Sequence, residues 1–233
     1  MIKQVKVLPV SVLTALDFEA RSAQILTQHG WQLCVSGMGV ERAREAAAQM
    51  LASGVRRLLV WGTAGGLDPA LQAGTLFLPD IIHAADSGVR YEVSAPFHDK
   101  LSSALTRLNV PLIRHGILVT TKRPLFTPSE KAQAALETGA LMVDMEAAAV
   151  AAVAAHAGAE FAVLRVLLDA AGASLPPTVI AAVETQHPHL KVMTGLLKRP
   201  QDLPSVLRLG RSFQRAHRSL ATAAQALAGL HAW

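Results

Sequence analysis

Cysteine is almost absent from this chain: Cys34 is the sole one in 233 residues. That excludes a disulfide framework within the chain and any cysteine-rich zinc site, and leaves Cys34 as a small buried residue in an apolar strand. Aromatic residues are scarce as well, at 4%, so the stacking platforms of single-strand nucleic-acid binders are not expected. Charged residues make up only 17% against 51% hydrophobic, a balance that excludes disorder and supplies a large core. Yet no stretch approaches the roughly 18 uninterrupted apolar residues of a membrane span. The opening MIKQVKVLPV is too short and too interrupted by lysine for a secretory signal. A cytoplasmic protein is expected. Metal-ligand spacing is also missing: His83, His98 and His115 follow no such pattern and read as ordinary surface or core residues.

What remains is basic and alternating. The net charge is +5 and the pI about 9.8, with the excess concentrated near the end of the chain. Lys191, Lys198, Arg199, Arg208, Arg211, Arg215 and Arg218 face one acid, Asp202. Nucleic acid is the weaker explanation, given so few aromatics. Apolar runs rich in β-branched residues alternate with alanine-rich stretches, the signature of an α/β sheet. Strands are predicted at 5–13, 31–36, 57–61, 75–82, 117–120, 141–143 and 161–168. Helices are predicted at 41–53, 98–108, 129–137, 145–157 and within 203–230. Gly54, Gly139 and Gly158 come directly after helices, where a left-handed cap would sit. The length fits one α/β domain over 1–233, a mixed central sheet flanked by helices. Pro176, Pro177, Pro188, Pro200 and Pro204 break the stretch after the last strand, so 176–233 reads as a helical C-terminal extension.

Two glycine-rich turns end strands: Ser36-Gly37-Met38-Gly39 and Gly62-Thr63-Ala64-Gly65-Gly66. The second is neither a dinucleotide fingerprint, since its spacing is G-x-x-G-G, nor a P-loop, since no Lys-Ser/Thr closes it. A plain turn explains either alone. Together they suggest a crevice at the carboxyl edge of a sheet, where open α/β folds bind ligands.

Acids stand at two further places. Asp144-Met145-Glu146 opens an alanine-rich helix, where Asp144 can cap and Glu146 can meet the helix dipole. The apolar strand 161–168 carries Arg165 and runs directly into Asp169. By strand alternation Phe161, Val163, Arg165 and Leu167 share a face. A charge in such a strand needs a partner, and Glu146 is the candidate. Asp169 is either a turn residue or an acid facing the crevice.

In that order and at about those separations, Gly62-Thr63-Ala64-Gly65-Gly66-Leu67, Val143-Asp144-Met145-Glu146-Ala147-Ala148-Ala149 and Arg165-Val166-Leu167-Leu168-Asp169 resemble the nucleoside phosphorylase superfamily. That superfamily includes methylthioadenosine/S-adenosylhomocysteine nucleosidase. Thr121-Lys122-Arg123-Pro124, the 140–146 run, Leu175-Pro176-Pro177 and the 202–209 segment look most like hopanoid-associated phosphorylases. The resemblance implies cleavage of the N-glycosidic bond of a 5′-substituted adenosine, with adenosylhopane, a lipid-linked nucleoside, as substrate. It implies Asp169 as the acid at purine N7 and Glu146 on the ribose hydroxyls with Met145 against the sugar. Thr63 and Gly65 would line the site beside the nucleophile, Arg165 would belong to the binding set, and Glu19 would activate water. An acid at N7 must hold its proton near neutrality, so Asp169 needs an apolar setting, which Leu167 and Leu168 can supply.

Two departures bear on mechanism. Leu168 stands where the nucleosidases often have serine, and Val60 stands where phosphorylases commonly have a phosphate-binding arginine. Val60 and Glu19 lean toward water, while Arg21, Arg42 or Arg123 leave phosphate open as co-substrate. No cofactor and no metal are expected. The basic helix of 203–230 is either a solvated face, a peripheral attachment to the inner membrane surface, or a homo-oligomer interface. A methylthioadenosine/S-adenosylhomocysteine nucleosidase, a general purine nucleoside phosphorylase, and a non-catalytic nucleoside- or lipid-surface-binding protein are the alternatives.

Overall fold

The computed structural model describes residues 10–174 and 200–230. Ten strands there form one mixed sheet: β1 (Val10–Thr14), β2 (Gln32–Val35), β3 (Arg57–Gly66), β4 (Leu76–Phe77), β5 (Ile81–Ala84), β6 (Arg90–Glu92), β7 (Leu112–Ile113), β8 (Ile117–Thr120), β9 (Ala140–Asp144) and β10 (Glu160–Asp169). Their spatial order is β6-β5-β8-β9-β3-β10-β4-β7, with β1 and β2 branching from β3. The helices are α1 (Asp17–Thr27), α2 (Val40–Ala52), α3 (Ala95–Leu105), α4 (Pro128–Thr138), α5 (Ala147–His156) and α6 (Leu203–Ala228).

The sheet forks at β3. Along one edge β10 runs parallel to it from Arg57 to Gly65. The other edge is divided: β1 pairs with Arg57–Val60, and β9 pairs antiparallel with Gly65 and Gly66. Residues 61–64 therefore lie where one neighbour has ended and the next has not begun. Backbone groups left without a ladder partner must be satisfied otherwise, and this gap is where the site forms.

Alternation along the central strands sends side chains to two cores. Leu58, Val60, Phe161, Val163 and Leu167 meet the alanine faces of α2 and α5. Leu59, Trp61, Ala162, Leu164 and Val166 meet α1, α3 and the C-terminal half of α6. Arg165 has the parity of Phe161, Val163 and Leu167, as the alternation predicts.

Every predicted strand and helix has a counterpart, with the long apolar run 75–82 divided. Pro79, which lacks a backbone N–H, separates β4 from β5. Gly54, Gly139 and Gly158 all adopt positive φ at helix ends. Cys34 corrects its expectation: it is half-buried in β2, whose outer residues are exposed. Helix α1 is absent from the predicted elements, because its inward face carries the buried polar residues Glu19 and Ser22 among alanines, which obscures the apolar period. Residues 5–9 of the first predicted strand, and Pro176, Pro177 and Pro188, lie outside the described residues.

Helix α6 divides energetically. From Ala216 onward its inner stripe is buried, whereas Leu203 and Leu207 nearer its start are exposed. Truncating the fully buried Leu220 to alanine is expected to cost about 2–5 kcal/mol. Leu207→Ala should stay within about 0.5 kcal/mol of the parent. Urea unfolding monitored by circular dichroism distinguishes the two.

Candidate active site

Glu19 closes the gap in β3. It sits in the first turn of α1, is 1% exposed, and uses both carboxylate oxygens. Oε1 accepts from the Thr63 backbone N–H at 2.7 Å and from Thr63 Oγ1 at 2.8 Å. Oε2 accepts from the N–H groups of Ala15 and Leu16, each at 3.1 Å. The helix is held against β3 by a second buried contact, Trp61 Nε1 donating to Ser22 Oγ at 2.9 Å. Gly62 makes the approach feasible. A Cβ there would stand 2.5 Å from Glu19 Oε1 and 2.6 Å from an Arg165 nitrogen, so two charged side chains pass over a backbone with nothing on it.

Arg165 lies beneath, on β10, and is wholly buried. Its main partner is Asp144, at the end of β9: Nε donates to Oδ2 at 3.0 Å and a terminal nitrogen to the same oxygen at 2.5 Å. Glu146, the partner expected, takes the second place at 3.3 Å. Asp144 also accepts from Thr120 Oγ1 at 2.6 Å and from the Ala147 N–H at 3.1 Å, so it serves the start of α5 as well. Glu146 is held from the opposite side by the Gly39 N–H, 3.0 Å from Oε1, which brings the first glycine-rich turn into the site.

Glu146 is pushed up to about 7. Burial is the main cause; Arg165 opposes it, Asp144 and Glu19 add to it, and the Gly39 N–H offsets part. Asp169, at the end of β10, is also raised by burial, with Lys131 pulling it back. Lys131, on α4, donates to Asp169 and to the carbonyls of Ala170 at 2.9 Å and Ala173 at 3.2 Å.

One cleft of about 230 Å³ gathers Glu19, Thr63, Gly65, Met145, Glu146 and Asp169. Residues far apart in the chain, from the first helix to the last strand, therefore converge. Leu16, Met38, Pro124 and Leu125 add apolar wall. Arg165 does not line the cleft; it stands behind, holding Asp144 and Glu146. Leu168 lines the wall beside Asp169, whereas Leu167 is buried in the core of the α2 and α5 face. Arg21, Arg42 and Arg123 do not line it either; Arg123 instead pairs with Glu130 at 2.7 Å on the surface. A second cavity, of about 670 Å³, lies between residues 69–73, the turn after β10 and the start of α6, and shares Asp169 with the first. Val60 is buried in β3, facing the core and not the cleft. His98 is a core residue whose Nε2 meets the Leu78 carbonyl at 3.1 Å, and His115 is largely exposed.

Neither Lys131 nor the Gly39 N–H is among the site groups expected from sequence. A signal for Lys131 does exist: it shares a helical stripe with Ala134, Ala135 and Thr138, the face α4 turns inward. A lysine on that stripe invites a search for a buried acceptor.

Comparison with known proteins agrees with this fold. The chain resembles the solved structure of 5′-methylthioadenosine/S-adenosylhomocysteine nucleosidase from Neisseria meningitidis at a TM-score of 0.71 and 16% identity, covering 95% of this chain and 99% of that one. The Helicobacter pylori enzyme of the same name gives 0.69 and 17%, over 95% and 97%. Futalosine hydrolase of Helicobacter pylori gives 0.67 and 18%, over 95% and 96%. A comparison with curated protein sequences returns no match. At such identities the solved structures establish the fold. The family model described as the phosphorylase superfamily matches residues 20–198, and the chain belongs to that superfamily.

Proposed function

We propose that this protein hydrolyses the N-glycosidic bond of a 5′-substituted adenosine and releases adenine. The observation that carries the reading is the convergence of Asp169, Glu146 and Glu19 on one cleft. Asp169 acts as the acid at purine N7, a role worth about 10²–10⁴-fold. Burial raises its pKa and so favours the protonated form the role requires. Glu146 accepts from the ribose hydroxyls, with Met145 against the sugar and Gly65 leaving room beside Asp169. Loss of the base leaves positive charge on the sugar, which the surrounding carboxylates stabilise. Glu19, anchored by Thr63, receives the proton of the attacking water.

Water is favoured over phosphate on charge. No arginine or lysine is among the described residues lining the cleft. The 5′ substituent is read as a hopanoid, making adenosylhopane the substrate. Support comes from the resemblance at residues 121–124 and from the apolar wall of Leu16, Met38, Pro124 and Leu125. A methylthioadenosine or S-adenosylhomocysteine nucleosidase is the second reading, favoured by the fold's likeness to enzymes so named.

A lipid-linked nucleoside would be met at a membrane. No helix among the described residues is long and apolar enough to cross one, and the attachment is read as peripheral. Helix α6 bears Arg208, Arg211, Arg215 and Arg218, all exposed and within about 80° of one another at 100° per residue, with no acid between 203 and 228. The same face is the alternative seat of a homo-oligomer contact.

Adenine release should occur with adenosylhopane at equal rates with and without phosphate, and more slowly with methylthioadenosine. Asp169→Asn should lower the rate by about 10²–10⁴-fold while leaving the fold intact; wild-type turnover in that variant would remove the acid from its role, and dependence on phosphate would replace water. As pH falls through about 7, Glu146 takes up a proton and loses an acceptor for the hydroxyls. kcat/KM should fall on that limb, and Glu146→Gln should be slower but flat across it. Vesicles containing anionic lipid should sediment the protein in low salt, and neutral vesicles should not. Replacing the four α6 arginines with glutamine should abolish this; a change of oligomeric state in that variant would assign the stripe to a subunit contact instead.

A further inference from the structure

Lys131 is an anomaly in α4. It is the single buried residue of that helix and is 0% exposed. Burying an ammonium is costly unless every proton finds an acceptor. Here each does: one goes to Asp169 Oδ2, one to the Ala170 carbonyl and one to the Ala173 carbonyl. Ala134 and Ala135, on the same inward stripe of α4, pack against an apolar cluster of Leu67, Val119, Ala140 and Val143. Packing therefore does not explain a cation at this position.

We propose that Lys131 is a positioning residue for proton transfer: it fixes Asp169 through Oδ2 so that Oδ1 serves the leaving base, and it stabilises the carboxylate that remains when the proton has gone. This rests on the reading of Asp169 as the acid. The proton passes from Asp169 to N7 as the C1′–N9 electron pair moves into the purine. Asp169 is then a carboxylate paired with the lysine, and the adenine is neutral. Water bonds to C1′ and loses its proton to Glu19. Return of that proton to Asp169 through solvent restores the starting state, and the sum is nucleoside plus water to base plus sugar. The contacts to Ala170 and Ala173 have a second effect: they tether the turn after β10 that borders the larger cavity. Without the lysine, a buried acid would hold its proton more firmly and deliver it less readily.

Lys131→Met keeps the volume and removes the charge. Lys131→Gln keeps hydrogen-bond donors and removes the charge. Both should lower kcat for the purine nucleoside on the order of 10–100-fold, within the range of acid catalysis, with little change in KM. The alkaline limb of kcat should move to higher pH, since the carboxylate has lost its cation. With 4-nitrophenyl riboside, whose leaving group needs no proton, both variants should match the parent. Equal losses on the two substrates, or a parental pH profile, would overturn the assignment. So would loss of fold in both variants by circular dichroism, because Lys131 would then be a structural element. Asp169→Asn, assayed alongside, tests the underlying reading separately: its full activity on the purine nucleoside would dismiss the acid itself, whatever the lysine variants do.

Discussion

A guanidinium with no access to water sits at the centre of this molecule, in the middle of the strand that contacts β3 along its whole length. Such a charge is tolerable only when its donors are matched by acceptors in a fixed geometry. Arg165 reaches Asp144 with Nε and Nη2, and the same Nη2 reaches Glu146. Meeting that requirement settles where β9 ends and where α5 begins, because Asp144 caps the first helical N–H as it pairs with the arginine. It also places Glu146 at the cleft wall. Burial is the main reason Glu146 is displaced to about 7; Arg165 pulls it back, and the neighbouring carboxylates of Asp144 and Glu19 add to the rise.

The fork in the sheet supplies the complementary constraint. Had β1 continued beside β3, the Thr63 N–H would have found a strand partner and Glu19 would have had no reason to enter. Because β1 ends at Thr14 and β9 reaches only to Gly65 and Gly66, a side chain must complete the ladder. That side chain belongs to the helix immediately after β1. The carboxylate that finishes the backbone pairing is thus also one of those lining the cleft, and its position is as firm as the sheet itself. Rigid placement of this kind favours catalysis, since little reorganisation is needed when charge develops.

These relations are unevenly legible in the sequence. Strand parity places Arg165 on its correct face, and glycine at helix ends is readable from three positions, because both depend on local geometry alone. Asp169 and Glu146 are identifiable by type and by resemblance. The pairing of Arg165 with Asp144 in preference to Glu146 is not, since it depends on how β9 and β10 flank β3, a long-range register that no local pattern encodes. Helix α1 is hidden by its own buried polar residues: the acid on its inner face breaks the amphipathic period that would have revealed it. Lys131 escapes notice because lysine on a helix is normally exposed, and its acceptors lie 38 to 42 residues downstream.

Charge balance also bears on the identity of the nucleophile. Glu19, Asp144, Glu146 and Asp169 all line the cleft, while the cations that accompany them, Arg165 and Lys131, are buried behind the wall and paired with Asp144, Glu146 and Asp169. Under the hydrolysis proposed above, that distribution favours a cationic sugar over a phosphate dianion. At 4 Å and an effective dielectric constant near 20, a single like-charge contact costs about 4 kcal/mol. On the proposed reading, neutral water meets no such penalty and Glu19 is the acceptor for its proton. The presence of valine in place of arginine at position 60 is consistent with the same logic: a buried β3 residue packed against α2 and α5 carries no donor toward the cleft.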